Sequence, residues 1–178
     1  MVRLVVVLLF VCGVVVGCGA AEPEGPFPPR PAEIDVSKLD LCSLLTPAQR
    51  AQLSVDEGEP GNVALPEGPS RTCTWPDNDA VISYAVQTIG EPASAAVGAS
   101  DSSSDIIGGF GAVRVTADAE STPLCEFYMD AGDADTLRVQ VQAVGYGDDG
   151  KPLAMTRVCE QARSLAGFVV ENARTGHG

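Results

Sequence analysis

Histidine is almost absent from this 178-residue chain: His177 is the only one, next to the last residue of the sequence. An imidazole in a frayed tail cannot be held in catalytic register, which argues against Ser–His or Cys–His catalysis. No Gly-x-Ser-x-Gly elbow occurs either. Basic residues are scarce, with nine Arg and two Lys against 24 acids, a net charge of −13. A basic face for phosphate is therefore missing, which excludes nucleic acid and adhesion to anionic headgroups. There is no Cys-x-x-Cys pair, so the six cysteines do not read as a zinc site. The longest uncharged apolar run, Leu4 to Val16, is 13 residues. A membrane-spanning helix needs about 20.

What is present describes one globular domain. Apolar residues make up 45% and charged residues 20% of the chain, which is ordinary for a folded protein of this length. Arg3 followed by Leu4 to Val16 has the charge and length of a signal-peptide core. The segment closes with Val15-Val16-Gly17-Cys18, which resembles the lipobox of bacterial lipoproteins. That resemblance implies a thioether-linked diacylglycerol on Cys18, cleavage before it and acylation of the new amine. Several acyl chains, at ~0.8 kcal/mol per buried CH₂, hold a domain on a membrane durably. Cys12 falls in the discarded segment. The expected organisation is residues 1–17 as signal peptide, 18–34 as lipidated Cys and proline-rich tether, and 35–178 as one domain. Pro23, Pro26, Pro28, Pro29 and Pro31 suit an extended spacer, whose sixteen residues reach at most roughly 50 Å.

Within the domain, Thr46-Pro47-Ala48-Gln49 is a capping box with Pro at the first helical position, opening a short helix that ends near Ser54. Residues 56–70, full of Gly and Pro, read as loop. Strands are expected over Arg71 to Trp75, Val81 to Thr88, Ala112 to Ala117, Cys125 to Asp130 and Thr136 to Val144. In the last, Leu137, Val139, Val141 and Ala143 face inward while Arg138, Gln140 and Gln142 face outward. The Ala/Ser-rich stretch from Pro92 to Asp105 reads as weak helix, broken by Gly108-Gly109. Met155, Val158, Cys159, Ala162, Leu165, Ala166 and Val169 form one stripe of a helix over Leu153 to Ala173. The expected fold is α+β: an antiparallel sheet of about five strands with N- and C-terminal helices on one face.

Four cysteines remain after processing, and an even number in an exported chain implies disulfides. Of the three possible pairings, Cys42–Cys73 and Cys125–Cys159 each tie a helix to the sheet. Asp40-Leu41-Cys42-Ser43-Leu44-Leu45-Thr46, Cys73-Thr74-Trp75, a Cys-bearing strand and Cys159 opening the last helix together resemble a family of actinobacterial lipoproteins of unknown function. The resemblance covers nearly the whole mature chain and implies the lipobox and tether. It brings no catalytic residues. Leu41 stands where the family often has Pro.

Other chemistry is thin. Gly145-Tyr146-Gly147-Asp148-Asp149-Gly150 matches G-x-G-x-x-G, but Asp148 and Asp149 would face pyrophosphate, so it reads as a strand-to-helix turn. Asp130, Asp133 and Asp135, with Asp148 and Asp149, carry oxygens that suit Ca²⁺ but lack EF-hand spacing, and read as a hairpin turn. Trp75 beside Cys73 reads as core packing against a disulfide. No catalytic residue, metal or cofactor is therefore expected. Two functions remain. The first is a non-enzymatic binding module on the extracytoplasmic face of the cell membrane, anchored by lipid, its acidic surface directed at an envelope protein of basic character or a cationic ligand. The alternative is a small-ligand or lipid carrier with a pocket between sheet and helix.

Overall fold

The computed structural model describes residues 25–176 apart from 80, 120 and 121. Cys12, Cys18 and His177 lie outside the described residues. Seven strands are present: β1 (Glu59–Leu65), β2 (Gly68–Pro76), β3 (Ile82–Ile89), β4 (Ser102–Ile107), β5 (Phe110–Ala119), β6 (Thr122–Gly132) and β7 (Asp135–Ala143). They form one antiparallel sheet in the order β1-β2-β3-β7-β6-β5-β4. Two meanders, β1 to β3 and β4 to β7, meet where β3 pairs with β7. The α-helices among the described residues are α1 (Pro47–Leu53) and α2 (Met155–Thr175).

The fold class is α+β, with seven strands where about five were expected. Both additions are edge strands with poor strand composition. β1 contains Pro60, Gly61 and Asn62, a composition that predicts loop; Pro is tolerated only where no ladder bond is lost, as at an edge. β4 lies in the Ser-rich stretch read as weak helix, which holds only a single 3-10 turn, Ala93–Ala96. Gly108-Gly109 is the two-residue turn between β4 and β5, with φ of +59° and +89°. Two consecutive positive φ values match the right-handed twist of a hairpin. The pair joins two strands rather than ending a helix.

α1 begins at the expected capping box: Gln49 N–H donates to Thr46 Oγ1 at 3.3 Å, and Thr46 N–H to Gln49 Oε1 at 2.9 Å. α2 lays its stripe on one face of the sheet. Val158, Ala162, Leu165, Ala166 and Val169 are fully buried there, against a sheet face that includes Cys125, Phe127, Val139, Val141 and Val86. Tyr84 O–H donates to Gln161 across this interface at 3.3 Å, and burial pushes its phenol up to about 12. The segment before α1 sits on the same face. Asn172 of α2 is buried and donates to Leu44 O at 2.8 Å and Gln49 Oε1 at 2.7 Å, joining the two helical layers.

Trp75 and Cys73 are wholly buried, as the reading of Trp75 as core requires. The indole N–H has no hydrogen-bond partner among the described residues. Gly58 closes over both residues: a Cβ there would lie 2.3 Å from Cys73 Sγ and 2.4 Å from Trp75 Nε1. Gly58→Ala is accordingly expected to cost ~1–3 kcal/mol through overpacking, read as a lower urea midpoint with an unchanged slope. An unchanged midpoint would show that the loop yields freely.

Candidate functional site

The sheet face opposite α2 is polar and only partly covered. Register builds its centre. Arg138 on β7 stands directly across from Gln87 on β3 and from Tyr128 on β6, while Glu126 lies one diagonal step away opposite Gln140. Neighbouring strands bring such pairs within reach of long side chains. Arg138 Nε donates to Glu126 Oε1 at 2.8 Å, Nη1 to Gln87 Oε1 at 2.8 Å, and Nη2 to Gln140 Oε1 at 2.6 Å and to Glu126. Its guanidinium lies 5.8 Å from the Tyr128 ring centre. Tyr128 O–H donates to Glu126 Oε2 at 3.1 Å. Burial, then the Glu126 charge, pushes the Tyr128 phenol above its ordinary value.

This constellation is rigid and already satisfied. Glu126 accepts from two side chains, so it is no free base, and Tyr128 stays protonated at neutral pH. The guanidinium already directs donors from all three of its nitrogens at protein oxygens. Glu126 and Gln87 are buried and hold Arg138, Gln140 and Tyr128, which stay partly exposed, in a fixed pattern that suits recognition better than proton transfer.

The connection from β3 to β4 crosses this face. Thr136 Oγ1 donates to Glu91 O at 2.6 Å and pins its start. Between the connection and the sheet runs a groove of about 330 Å³, with Leu65, Ile89, Ala95 and Val115 on its walls and Tyr128 and Arg138 at its floor.

The two disulfides pair as favoured from sequence. Cys42–Cys73 and Cys125–Cys159 have Cα–Cα distances of 5.3 and 5.1 Å. Each ties a helical segment to the sheet. The acidic residues do not converge. Asp135 opens β7, whereas Asp148 and Asp149 follow its other end, and eight residue steps at ~3.4 Å separate the two ends of that strand by ~27 Å. No metal-holding cluster of His, Cys, Asp or Glu occurs among the described residues. Asp130 and Asp133 instead receive Arg30, which donates to Asp130 Oδ1 at 2.8 Å, to Asp133 and to Glu33. Gly145 to Gly150 forms the expected turn, with Gly147 N–H donating to Lys151 O at 2.9 Å and Gly150 at φ +70°.

Sequence reasoning placed Arg138, Gln140 and Gln142 on the open face but missed Glu126, Tyr128 and Gln87 as partners. The alternation of β6 around Cys125 and Phe127 was a usable signal for the first two. Their registration with β7 was not visible.

A family model for proteins of unknown function, DUF3558, matches residues 13–172. The chain belongs to the DUF3558 family. No curated protein and no solved structure matches it. Family membership thus agrees with the resemblance drawn from the Cys-Ser-Leu-Leu-Thr and Cys-Thr-Trp motifs, at the level of a family without an assigned role. In this DUF3558 chain both motifs lie at one disulfide, Cys42–Cys73.

Proposed function

We propose that this DUF3558 chain is a lipoprotein, anchored through Cys18 on the extracytoplasmic face of the cell membrane, whose domain binds an envelope partner without catalysis. The observation that carries the binding role is the satisfied Arg138–Glu126–Gln87–Tyr128 network, in which buried Glu126 and Gln87 fix the partly exposed Arg138 and Tyr128 on the polar sheet face. It is costly to assemble and offers no free acid, base or nucleophile. The disulfides support an exported chain, since such bonds persist in oxidising compartments. The anchor rests on Leu4 to Val16 and on Val15-Val16-Gly17-Cys18.

The carrier alternative has less support. The space between α2 and the sheet is filled by side chains with no exposed surface, from Val158 to Val169. A carrier of that design needs an apolar cavity there.

A net charge of −13 directs the domain toward a partner of basic character or a cationic ligand. Crosslinking in intact cells, followed by mass spectrometry, is expected to recover one reproducible envelope neighbour. Its yield should fall as ionic strength rises from ~0.05 to ~0.5 M, because screening shortens the reach of exposed charges. Cys18→Ala should leave the membrane fraction. Turnover of a hydrolase substrate, abolished by one Asp or Glu change, would sink the non-catalytic reading. Full membrane retention of Cys18→Ala would sink the anchor.

A further inference from the structure

The proline-rich segment expected as a free spacer is not free over its described length. Gly25 to Ile34 runs against the β5–β6–β7 end of the sheet. Phe27 lies over Gly111: a Cβ at that position would come within 2.4 Å of Phe27 Cβ and Cγ. Pro31 rests on Gly109, 3.0 Å from where a Cβ would stand. Arg30 is received by Asp130, Asp133 and Glu33, with only 19% of its side chain exposed. Ile34 is buried, and its N–H donates to Ala131 O at 3.0 Å. Two side-chain-free notches and an acidic cradle thus receive an aromatic ring, a proline and a guanidinium from one extended segment.

We propose that this end of the sheet is a peptide site for an extended, proline-rich, arginine-bearing segment, filled here by the chain's own residues 25–34, and that its occupancy sets how far the domain reaches from the membrane. The docking stands on the geometry alone; the reach rests also on the proposed anchor at Cys18. With the segment docked, seven residue steps separate Cys18 from Gly25, a span of at most ~25 Å. With it released, the free chain extends to Asp35, seventeen steps on, or ~53 Å in polyproline II form. Proline limits the entropy regained on release, and the Arg30 contacts oppose release. Their weakening by salt or by a competing arginine makes the clasp reversible. A competitor must exceed a high intramolecular effective concentration, which keeps the docked state the resting one.

The test uses the full chain. In the wild type, nuclear Overhauser contacts between the Phe27 ring and the Gly111 α-protons are expected. So is slow exchange of the Ile34 amide. Arg30→Glu should lose the ring contact and speed Ile34 exchange by about tenfold or more. Gly111→Ala, which leaves every charge in place, should also speed it. A synthetic peptide of residues 25–34 should bind the Arg30→Glu chain, and the same peptide with Glu for Arg should not. Absence of the ring contact in the wild type, or its persistence in Arg30→Glu with unchanged Ile34 exchange, overturns the docking site. Failure of both peptides to bind overturns the peptide selectivity.

Reach is read on the lipidated chain in phosphatidylcholine vesicles, by energy transfer from Trp75, the sole tryptophan, to dansyl-labelled headgroups. Transfer should be almost lost in Arg30→Glu, because it falls steeply with distance and the reach roughly doubles. Equal transfer in both chains overturns the reach. Wild-type protein that does not partition with vesicles overturns the anchor and the reach together, and the exchange measurements still decide the docking.

Discussion

Replacing Cys125 and Cys159 together by Ser is expected to lower stability by ~3–4 kcal/mol, the chain-entropy value for a loop of this size. The bridge closes 34 residues and holds α2 to β6 at a Cα–Cα distance of 5.1 Å. Cys125 has no exposed surface, and Ser there leaves a hydroxyl in an apolar layer with Phe127 and Val141 around it. The melting temperature should fall by ~10 °C, given a few degrees per kcal/mol at this chain length. The fold itself should survive, because the α2 stripe from Val158 to Val169 is buried independently of the bridge. Urea denaturation checks the magnitude, with a steeper slope than the wild type because the denatured chain without the crosslink exposes more surface. Non-reducing peptide mapping of the wild type checks the pairing, and a Cys42–Cys125 peptide would overturn it.

The second large effect is expected at the polar network. Glu126→Leu strips Arg138 of its only carboxylate among the described residues while leaving it half-buried among Gln87, Gln140 and Tyr128. Breaking a buried pair from one side costs ~3–5 kcal/mol. Arg138 keeps 22% of its side chain exposed, so water offsets part of that, and ~2–3 kcal/mol is expected. Removing both charges, Glu126→Leu with Arg138→Met, should restore stability to within ~1 kcal/mol of the wild type, since an apolar replacement of a buried pair is often neutral. The double variant then separates stability from function. If the open face is the recognition surface, the refolded double variant loses the crosslinked neighbour. Retention of the neighbour by a stable double variant would place recognition elsewhere.

Much of this fold was legible along the chain. The alternation of Leu137, Val139, Val141 and Ala143 against Arg138, Gln140 and Gln142 determines a strand with one wet face, because successive side chains point to opposite sides. The α2 stripe and the Thr46–Gln49 capping box are equally local patterns. Their information lies within a few residues, so no partner need be known. The edge strands β1 and β4 were not legible. Pro60, Gly61 and the serines of β4 have no strand preference of their own, and they are extended because β2 and β5 offer them unpaired backbone groups.

The site divides along the same line. The residue types were determined by the sequence: cysteines enough for two staples, acids in excess, a single His at position 177, a proline-rich segment ahead of the domain. Which of them meet was decided only by the tertiary structure. Arg138 finds Glu126 because β7 pairs with β6 in one register, and a slip of one residue would turn each strand's polar side chains to the other face. Arg30 finds Asp130 and Asp133 across about 100 positions of sequence, a contact no local pattern encodes. The acidic turn that looked open to a cation is filled by a guanidinium from the same chain, because Gly109 and Gly111 leave room for the segment that carries it.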